Sequence, residues 1–130
     1  MILGIGIDTV DIKRMEKALG KGEPSPFEMR VFTENERAAA PEGLRRAAYF
    51  AARFAAKEAV FKAVAHLLPE KNFDLRIVET RHGENGFPYI YEEGPLGEIL
   101  RKAGAAKLHL SVTTEADLAT AFVIAEGKDA

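Results

Sequence analysis

The stretch that decides the fold is Phe50-Ala51-Ala52-Arg53-Phe54-Ala55-Ala56-Lys57-Glu58-Ala59-Val60-Phe61-Lys62-Ala63. Its apolar residues recur at helical spacing and predict one long helix over residues 44–68, ended by Pro69. Glu58 falls near the middle of the apolar stripe, so its carboxylate is expected to face inward. An unpaired carboxylate there would cost several kcal/mol, so it needs a metal ion, a cation or a proton as its partner. The stripe consists of Ala47, Phe50, Ala51, Phe54, Phe61 and Ala65.

A second acidic residue follows the N-terminal apolar run Met1-Ile2-Leu3-Gly4-Ile5-Gly6-Ile7. This run predicts a buried strand that delivers Asp8 at its carboxyl end. Two inward carboxylates from separate elements, with Lys62 one turn beyond Glu58, indicate a hard-cation site that handles phosphate. Two simpler interpretations remain open: Asp8 could cap the following helix, and Glu58 could form an exposed ion pair with Lys62.

The other patterns place helices in the first half of the chain and mainly antiparallel strands in the second. Shorter helices are predicted over residues 11–19, from Ser25-Pro26, from the capping-box spacing of Thr33 and Glu36, and over 95–104. Strands are predicted over 73–77, 87–91, 108–112 and 118–124. The fold class is therefore α+β, with one long and several short helices packed on a mainly antiparallel sheet.

Composition narrows the class of protein. With 130 residues, 47% of them apolar and 29% charged, the chain fits one soluble domain spanning residues 1–130. No apolar run reaches the ~20 residues needed to cross a bilayer, and no basic segment precedes the first one. The absence of cysteine excludes disulfides and zinc-thiolate sites, which agrees with a cytoplasmic location. A net charge of −2 gives no support for nucleic-acid binding.

Five motifs occur in order along the chain. They are Gly4-Ile5-Gly6-Ile7-Asp8, Phe32-Thr33-Glu34-Asn35-Glu36, Arg53-Phe54-Ala55-Ala56-Lys57-Glu58-Ala59, Lys62-Ala63 and Gly86-Phe87-Pro88. Together they resemble the motifs of holo-acyl-carrier-protein synthase, the single-copy bacterial type of 4′-phosphopantetheinyl transferase. The resemblance implies transfer of 4′-phosphopantetheine from coenzyme A to a serine of apo acyl carrier protein. The reaction releases adenosine 3′,5′-bisphosphate and serves fatty acid biosynthesis.

The resemblance also implies roles for individual residues. Asp8 and Glu58 are the expected Mg²⁺ ligands, and Lys62 is expected beside the pyrophosphate, where it assists the leaving group. The general base stays open between a metal-bound water and a third carboxylate, with Glu36 a distant candidate. Besides Lys62, the residues expected near coenzyme A are Arg53, Lys57, His66 and Thr114. Arg53 and Lys57 lie off the apolar stripe and could equally form a solvated face.

Partner binding is expected at the first helix, where basic residues cluster. Acyl carrier proteins are acidic, so Lys13, Arg14, Lys17 and Lys21 predict a docking surface that weakens as salt rises. An ordinary solvated face, mixed with Asp11 and Glu16, is the alternative. The resemblance further implies a homotrimer with its sites at subunit interfaces.

Two segments depart from the family pattern. Ala65-His66-Leu67 stands where the family has Gly-Thr-Gly, and Thr114 stands where it has a histidine. Both changes predict altered recognition of the adenosine end of coenzyme A. They also motivate a second hypothesis, a non-catalytic or weakly active carrier-binding homologue. A nucleotide-binding fragment built on Gly4-Ile5-Gly6 is disfavoured, because the third glycine of the dinucleotide pattern is absent.

Overall fold

The computed structural model describes residues 1–70 and 72–128, and it has the α+β architecture that the sequence predicts. The helices are α1 (Ile12–Ala18), α2 (Pro26–Val31), α3 (Glu34–Ala39), α4 (Arg46–Val64) and α5 (Pro95–Ala103). The strands are β1 (Ile2–Asp11), β2 (Thr80–His82), β3 (Pro88–Ile90), β4 (Ala105–Glu115) and β5 (Leu118–Gly127). Among the described residues, no helix combines the length and the apolar character needed to cross a membrane.

A three-stranded antiparallel sheet carries the long helix α4 on one face. Its strand order is β1-β5-β4, so β5 lies in the centre and β1 forms an edge. In this register Asp8 lies opposite Ala121, which in turn lies opposite Val112. The strands β2 and β3 form a separate antiparallel pair.

The predicted strand over residues 73–77 is wrong. Residues Leu75–Ile77 form a short 3-10 turn, and β2 begins only at Thr80. Two contacts explain the turn: the Asp74 carboxylate accepts from the backbone N–H of Arg76 at 2.9 Å, and the Lys57 ammonium donates to the carbonyl of Leu75. The Lys57 side chain thus occupies the carbonyl of Leu75, which in a strand would accept a hydrogen bond from a neighbouring strand.

Glycines of β1 let α4 lie directly on the strand. A Cβ added at Gly4 would sit 1.9 Å from the carbonyl oxygen of Ala63, and one added at Gly6 would sit 1.9 Å from that of Ala59. Only glycine fits such an approach of two backbones. The close contact brings the C-terminal half of α4 to β1, next to Asp8.

The strand β1 is not buried, contrary to the prediction. Its side chains Ile5 and Ile7 point to the face of the sheet opposite α4 and are 59% and 56% exposed. Asp8 lies within the strand rather than at its end. The cap of α1 is instead Asp11, which accepts hydrogen bonds from two backbone N–H groups of that helix. The capping interpretation of Asp8 is therefore wrong.

The buried face of α4 is rotated relative to the predicted stripe. Lys57 is fully buried, whereas Glu58 and Phe54 are only half-buried. The rotation follows from alanine packing, since Ala55, Ala59 and Ala63 allow α4 to approach the sheet most closely. Glu58 therefore lies at the border of the buried face rather than near its centre. Lys57, which the sequence placed off the apolar stripe, lies within the buried face, so the alternative of a solvated face is wrong for it.

Candidate active site

Asp8 and Lys62 meet where β1 passes beneath α4. Gly4, Gly6 and Asp8 alternate with the exposed isoleucines, so all three face the helix. The Lys62 Nζ lies 3.0 Å from Asp8 Oδ1 and donates to the carbonyl oxygen of Ile7, also at 3.0 Å. The Asp8 side chain is 18% exposed and the Lys62 side chain 50% exposed, so the pair remains accessible to solvent.

Glu58 lies near this pair with an unusual electrostatic environment. Burial raises the pKa of the Glu58 carboxyl, the charge of Asp8 raises it further, and Lys62 opposes both effects. Within the described part of the chain, the Glu58 carboxylate has no hydrogen bond or ion pair with a protein group. The simpler interpretation, an exposed ion pair of Glu58 and Lys62, is therefore wrong, and Lys62 pairs with Asp8 instead.

The two carboxylates fit a hard divalent cation. Their mutual repulsion and the partial burial of Glu58 are both relieved by a positive charge between them. The described residues contain no group of three or more His, Cys, Asp or Glu side chains arranged to hold a metal ion. Mg²⁺ suits such a sparse donor set, because it keeps several waters and commonly takes phosphate oxygens in addition to one or two carboxylates.

Asp8 and Glu58 line a pocket of about 330 Å³ between β1, α1, α2 and α4. At its other side, the rings of Phe27 and Phe54 pack edge to face with centroids 5.5 Å apart. Arg14 of α1 contributes a positive charge to the same pocket. The complete lining is Asp8, Thr9, Val10, Asp11, Arg14, Met15, Ala18, Phe27, Phe54 and Glu58.

Sequence reasoning missed Asp11 and Phe27 as pocket residues. Asp11 carried a signal, because an aspartate directly before a helix is a typical N-cap. Phe27 carried none, since its place depends on how α2 packs against Phe54 of α4.

The other predicted coenzyme-binding residues lie outside this pocket. Arg53 stacks 3.8 Å above the Tyr49 ring and approaches His82 Nδ1 at 3.5 Å, beside a second pocket of about 300 Å³. His66 lies 3.0 Å from the carbonyl oxygen of Leu3 through Nε2. Thr114 is exposed near the end of β4.

Lys57 and Glu36 form a buried ion pair. This pair contradicts the expected place of Lys57 near coenzyme A and the candidacy of Glu36 as general base. The Lys57 Nζ lies 2.8 Å from Glu36 Oε1 and also donates to the carbonyls of Leu75 and Val78. Burial lowers the pKa of Lys57, and the Glu36 carboxylate opposes that effect. Glu36 further accepts from the Thr33 N–H at 3.0 Å. Both side chains are thus occupied inside the protein, away from phosphate or a substrate proton.

The basic residues of α1 and of the loop after it are on the surface. Lys17 and Lys21 are exposed, and Arg14 reaches the pocket rim. Lys13 is also exposed, and its ammonium lies 3.5 Å from the Asp117 carboxylate of the β4–β5 turn.

Residues 4–123 match the 4′-phosphopantetheinyl transferase superfamily. The chain belongs to this superfamily.

Its relatives define the type of enzyme. The chain is 42% identical to the holo-[acyl-carrier-protein] synthase of Brucella ovis, over 97% of this chain and 96% of the relative. The crystal structure of holo-[acyl-carrier-protein] synthase from Neisseria meningitidis has a TM-score of 0.79 at 34% identity, covering 97% of this chain and 99% of that one. The holo-(acyl-carrier-protein) synthase from Bacillus anthracis in complex with CoA (3′,5′-ADP) has a TM-score of 0.77 at 35% identity, covering 98% and 99%. These likenesses confirm the holo-acyl-carrier-protein synthase family, a family of coenzyme A-binding transferases.

Proposed function

We propose that this chain transfers 4′-phosphopantetheine from coenzyme A to a serine of an apo acyl carrier protein and requires Mg²⁺. The observation that carries the proposal is the meeting of Asp8, Glu58 and Lys62 at the crossing of β1 and α4. Asp8 and Glu58 would hold the metal ion. When bound, Mg²⁺ supplies positive charge to the pyrophosphate and to the oxygens of the transferring phosphate.

Lys62 is the residue best placed to stabilise the leaving group. Its side chain is half exposed, and its ammonium is held next to the pocket residue Asp8 by that carboxylate and by the Ile7 carbonyl. From there it can place a positive charge, or donate a proton, at the phosphate oxygen that departs with adenosine 3′,5′-bisphosphate. Glu36 is not a candidate for the general base, because its carboxylate is bonded to Lys57.

The carrier would approach from α1, which brings Arg14 to the pocket and exposes Lys17, with Lys21 exposed in the loop that follows the helix. Electrostatic attraction to these basic residues would raise the association rate of an acidic partner. Fatty acid biosynthesis is the process in which this reaction would take part.

A homotrimer is part of the proposal. The face of the sheet opposite α4 carries the exposed apolar side chains Ile5, Ile7 and Phe122, which are 59%, 56% and 38% exposed. An apolar face of this kind is typical of a surface that contacts another protein. Assembly through it would let a second copy contribute to the coenzyme A site. Sedimentation velocity of Ile7→Lys against the parent tests this: a monomeric variant supports the interface, and an unchanged trimer contradicts it.

Intact-mass spectrometry of the carrier tests the proposed reaction. The parent protein, coenzyme A and Mg²⁺ are expected to add the phosphopantetheine mass to an apo carrier. Asp8→Ala and Glu58→Ala are expected to abolish the addition, while the control Glu98→Ala, at an acid exposed on α5, retains it. Full activity of Glu58→Ala would contradict a metal-binding role. No mass gain by folded parent protein would favour the carrier-binding homologue without activity.

A further inference from the structure

Glu28 is a fully buried carboxylate that bonds to a loop rather than to solvent. It lies in the first turn of α2, and its Oε1 accepts from the backbone N–H of Gly20 at 2.5 Å and that of Ser25 at 3.4 Å. Its Oε2 lies 3.7 Å from the Arg46 guanidinium of α4, a charge contact longer than a hydrogen bond. One carboxylate therefore links the loop after α1 to α2 and α4.

Ser25 completes this connection. Its backbone N–H and Oγ bond to Glu28 in a capping box, with the Glu28 N–H donating to Oγ at 3.2 Å. The same Oγ–H donates to the carbonyl oxygen of Ala18 at 2.7 Å. The first turn of α2 thus holds the last turn of α1. We call Ser25 and Glu28, with these bonds, the α1–α2 brace.

Both ends of α1 are consequently fixed. At the N-terminus, the Ile12 N–H donates to the carbonyl oxygen of Asp117 at 2.8 Å. At the C-terminus, the brace is tight, because a Cβ added at Gly20 would sit 1.8 Å from the carbonyl oxygen of Glu23.

The two braced helices form one side of the pocket that holds the acid pair. Arg14 and Ala18 line it from α1, and Phe27, which directly precedes Glu28, lines it from α2. A change in how α1 meets α2 would therefore move Arg14 and Phe27 relative to Glu58. Asp8 and Glu58 themselves are held by β1 and α4, and the brace contacts α4 through Arg46.

We propose that Glu28 is a positioning residue for the carrier protein: through the α1–α2 brace it sets the direction in which Arg14 and Lys17 face an acidic partner. This inference rests on the proposed function. Glu28 touches neither substrate, and its effect should reach the carrier more than coenzyme A or the metal ion.

The test compares Glu28→Gln and Ser25→Ala with the parent and with Glu23→Gln, which removes an exposed charge from the same loop. Steady-state kinetics are measured separately for a bacterial fatty-acid-synthesis apo carrier and for coenzyme A. We expect KM for the carrier to rise about three- to tenfold in both brace variants, with KM for coenzyme A within about twofold. Glu23→Gln should match the parent. Equal increases in both KM values would indicate general loosening of the fold and would overturn the proposal.

A double-mutant cycle separates positioning from stability. If Glu28 acts by orienting Arg14, Arg14→Ala should weaken carrier binding less in the Glu28→Gln background than in the parent. The readout is fluorescence anisotropy of a labelled apo carrier, which requires no transfer and so stands even if the proposed reaction fails. Additive effects of the two substitutions would overturn the proposal. Ser25→Ala in place of Glu28→Gln repeats the cycle should the glutamine variant unfold.

Discussion

The Lys57 ammonium lies 2.8 Å from the Glu36 carboxylate at a place where neither side chain meets solvent. The pair joins α4 to α3, and the two carbonyls that Lys57 also bonds, those of Leu75 and Val78, belong to the segment before β2. Three parts of the chain are therefore held by one buried cation. A buried pair of this kind contributes little net stability while intact, but losing one partner leaves an unpaired charge in the interior.

Lys57→Met should destabilise the protein by about 3–5 kcal/mol, because it leaves Glu36 buried without its cation. Adding Glu36→Gln should recover part of that loss, since the charge is removed while the Thr33 N–H keeps an acceptor. Urea unfolding of the parent, the single variant and the double variant measures both effects. If the Lys57→Met protein had the stability of the parent and bound coenzyme A more weakly, the result would contradict the structural role and support coenzyme A binding by Lys57.

Gly6→Ala should also destabilise, by an amount at or above the upper end of the ~1–3 kcal/mol typical of overpacking. Its Cβ would overlap the Ala59 carbonyl, which is backbone and can move only with the whole of α4. The displacement would separate Glu58 from Asp8 and reduce the affinity for Mg²⁺. Gly83→Ala is the matched control, because its nearest neighbour is the Asn85 side chain at 3.2 Å. Thermal unfolding and Mg²⁺ titration measure the two consequences, and equal behaviour of both variants would contradict the close contact.

The α+β class and the acid pair of the candidate site were predictable from local patterns, but the orientation of α4 was not. Apolar residues that recur at ~100° per residue identify an apolar stripe on the helix, but they do not fix which residue lies at the centre of the buried face. Here the centre is set by backbone contact at Ala59 and Ala63, so Glu58 moves to the pocket edge. The burial of Lys57 depends on acceptors from Glu36 and the Leu75–Val78 segment, which are distant in sequence and carry no periodic signal.

Arg14→Glu should weaken the affinity for an apo carrier while leaving that for coenzyme A nearly unchanged. Arg14 is exposed at the pocket rim, so the loss is electrostatic and should shrink as ionic strength rises. Lys102→Glu, an equal charge reversal on the exposed side of α5, is the control. Association rates at low and high salt provide the measurement. A loss that is the same at both salt concentrations, or equal for both ligands, would contradict a docking surface.

Thr114→His should sharpen discrimination between coenzyme A and dephospho-coenzyme A. Thr114 is exposed on β4, and a histidine there could donate a charge-assisted hydrogen bond to the 3′-phosphate. One such contact corresponds to ~1.5–3 kcal/mol, or roughly ten- to a hundredfold in relative kcat/KM. The ratio of kcat/KM for the two donors is measured in parent and variant. Strong discrimination by the parent that the substitution leaves unchanged would show that other groups already supply the contact.

The raised pKa of Glu58 predicts how stability and metal binding depend on pH. Burial and the Asp8 charge raise this pKa, so the folded protein without metal holds the proton more tightly than the unfolded chain does. The stabilising contribution of protonated Glu58 is complete below the unfolded value of about 4.3 and is lost as pH rises through the folded pKa. Glu58→Gln avoids that loss, so its Tm should exceed that of the parent at neutral pH and converge with it near pH 4.

Mg²⁺ should reverse this order at neutral pH. A ligand that binds only the folded state raises Tm, and the parent offers two carboxylates where Glu58→Gln offers one. Because a proton on Glu58 competes with the metal, the Mg²⁺-dependent increase in the parent Tm should diminish as pH falls through the raised pKa, sooner than for a glutamate of ordinary pKa. Calorimetry of both proteins from pH 4 to 8, with and without Mg²⁺, measures the two trends. The metal-free samples contain a chelator, so that no divalent cation is bound. An equal Mg²⁺-dependent increase in Tm for the parent and Glu58→Gln would show that Glu58 is not a ligand of the metal ion.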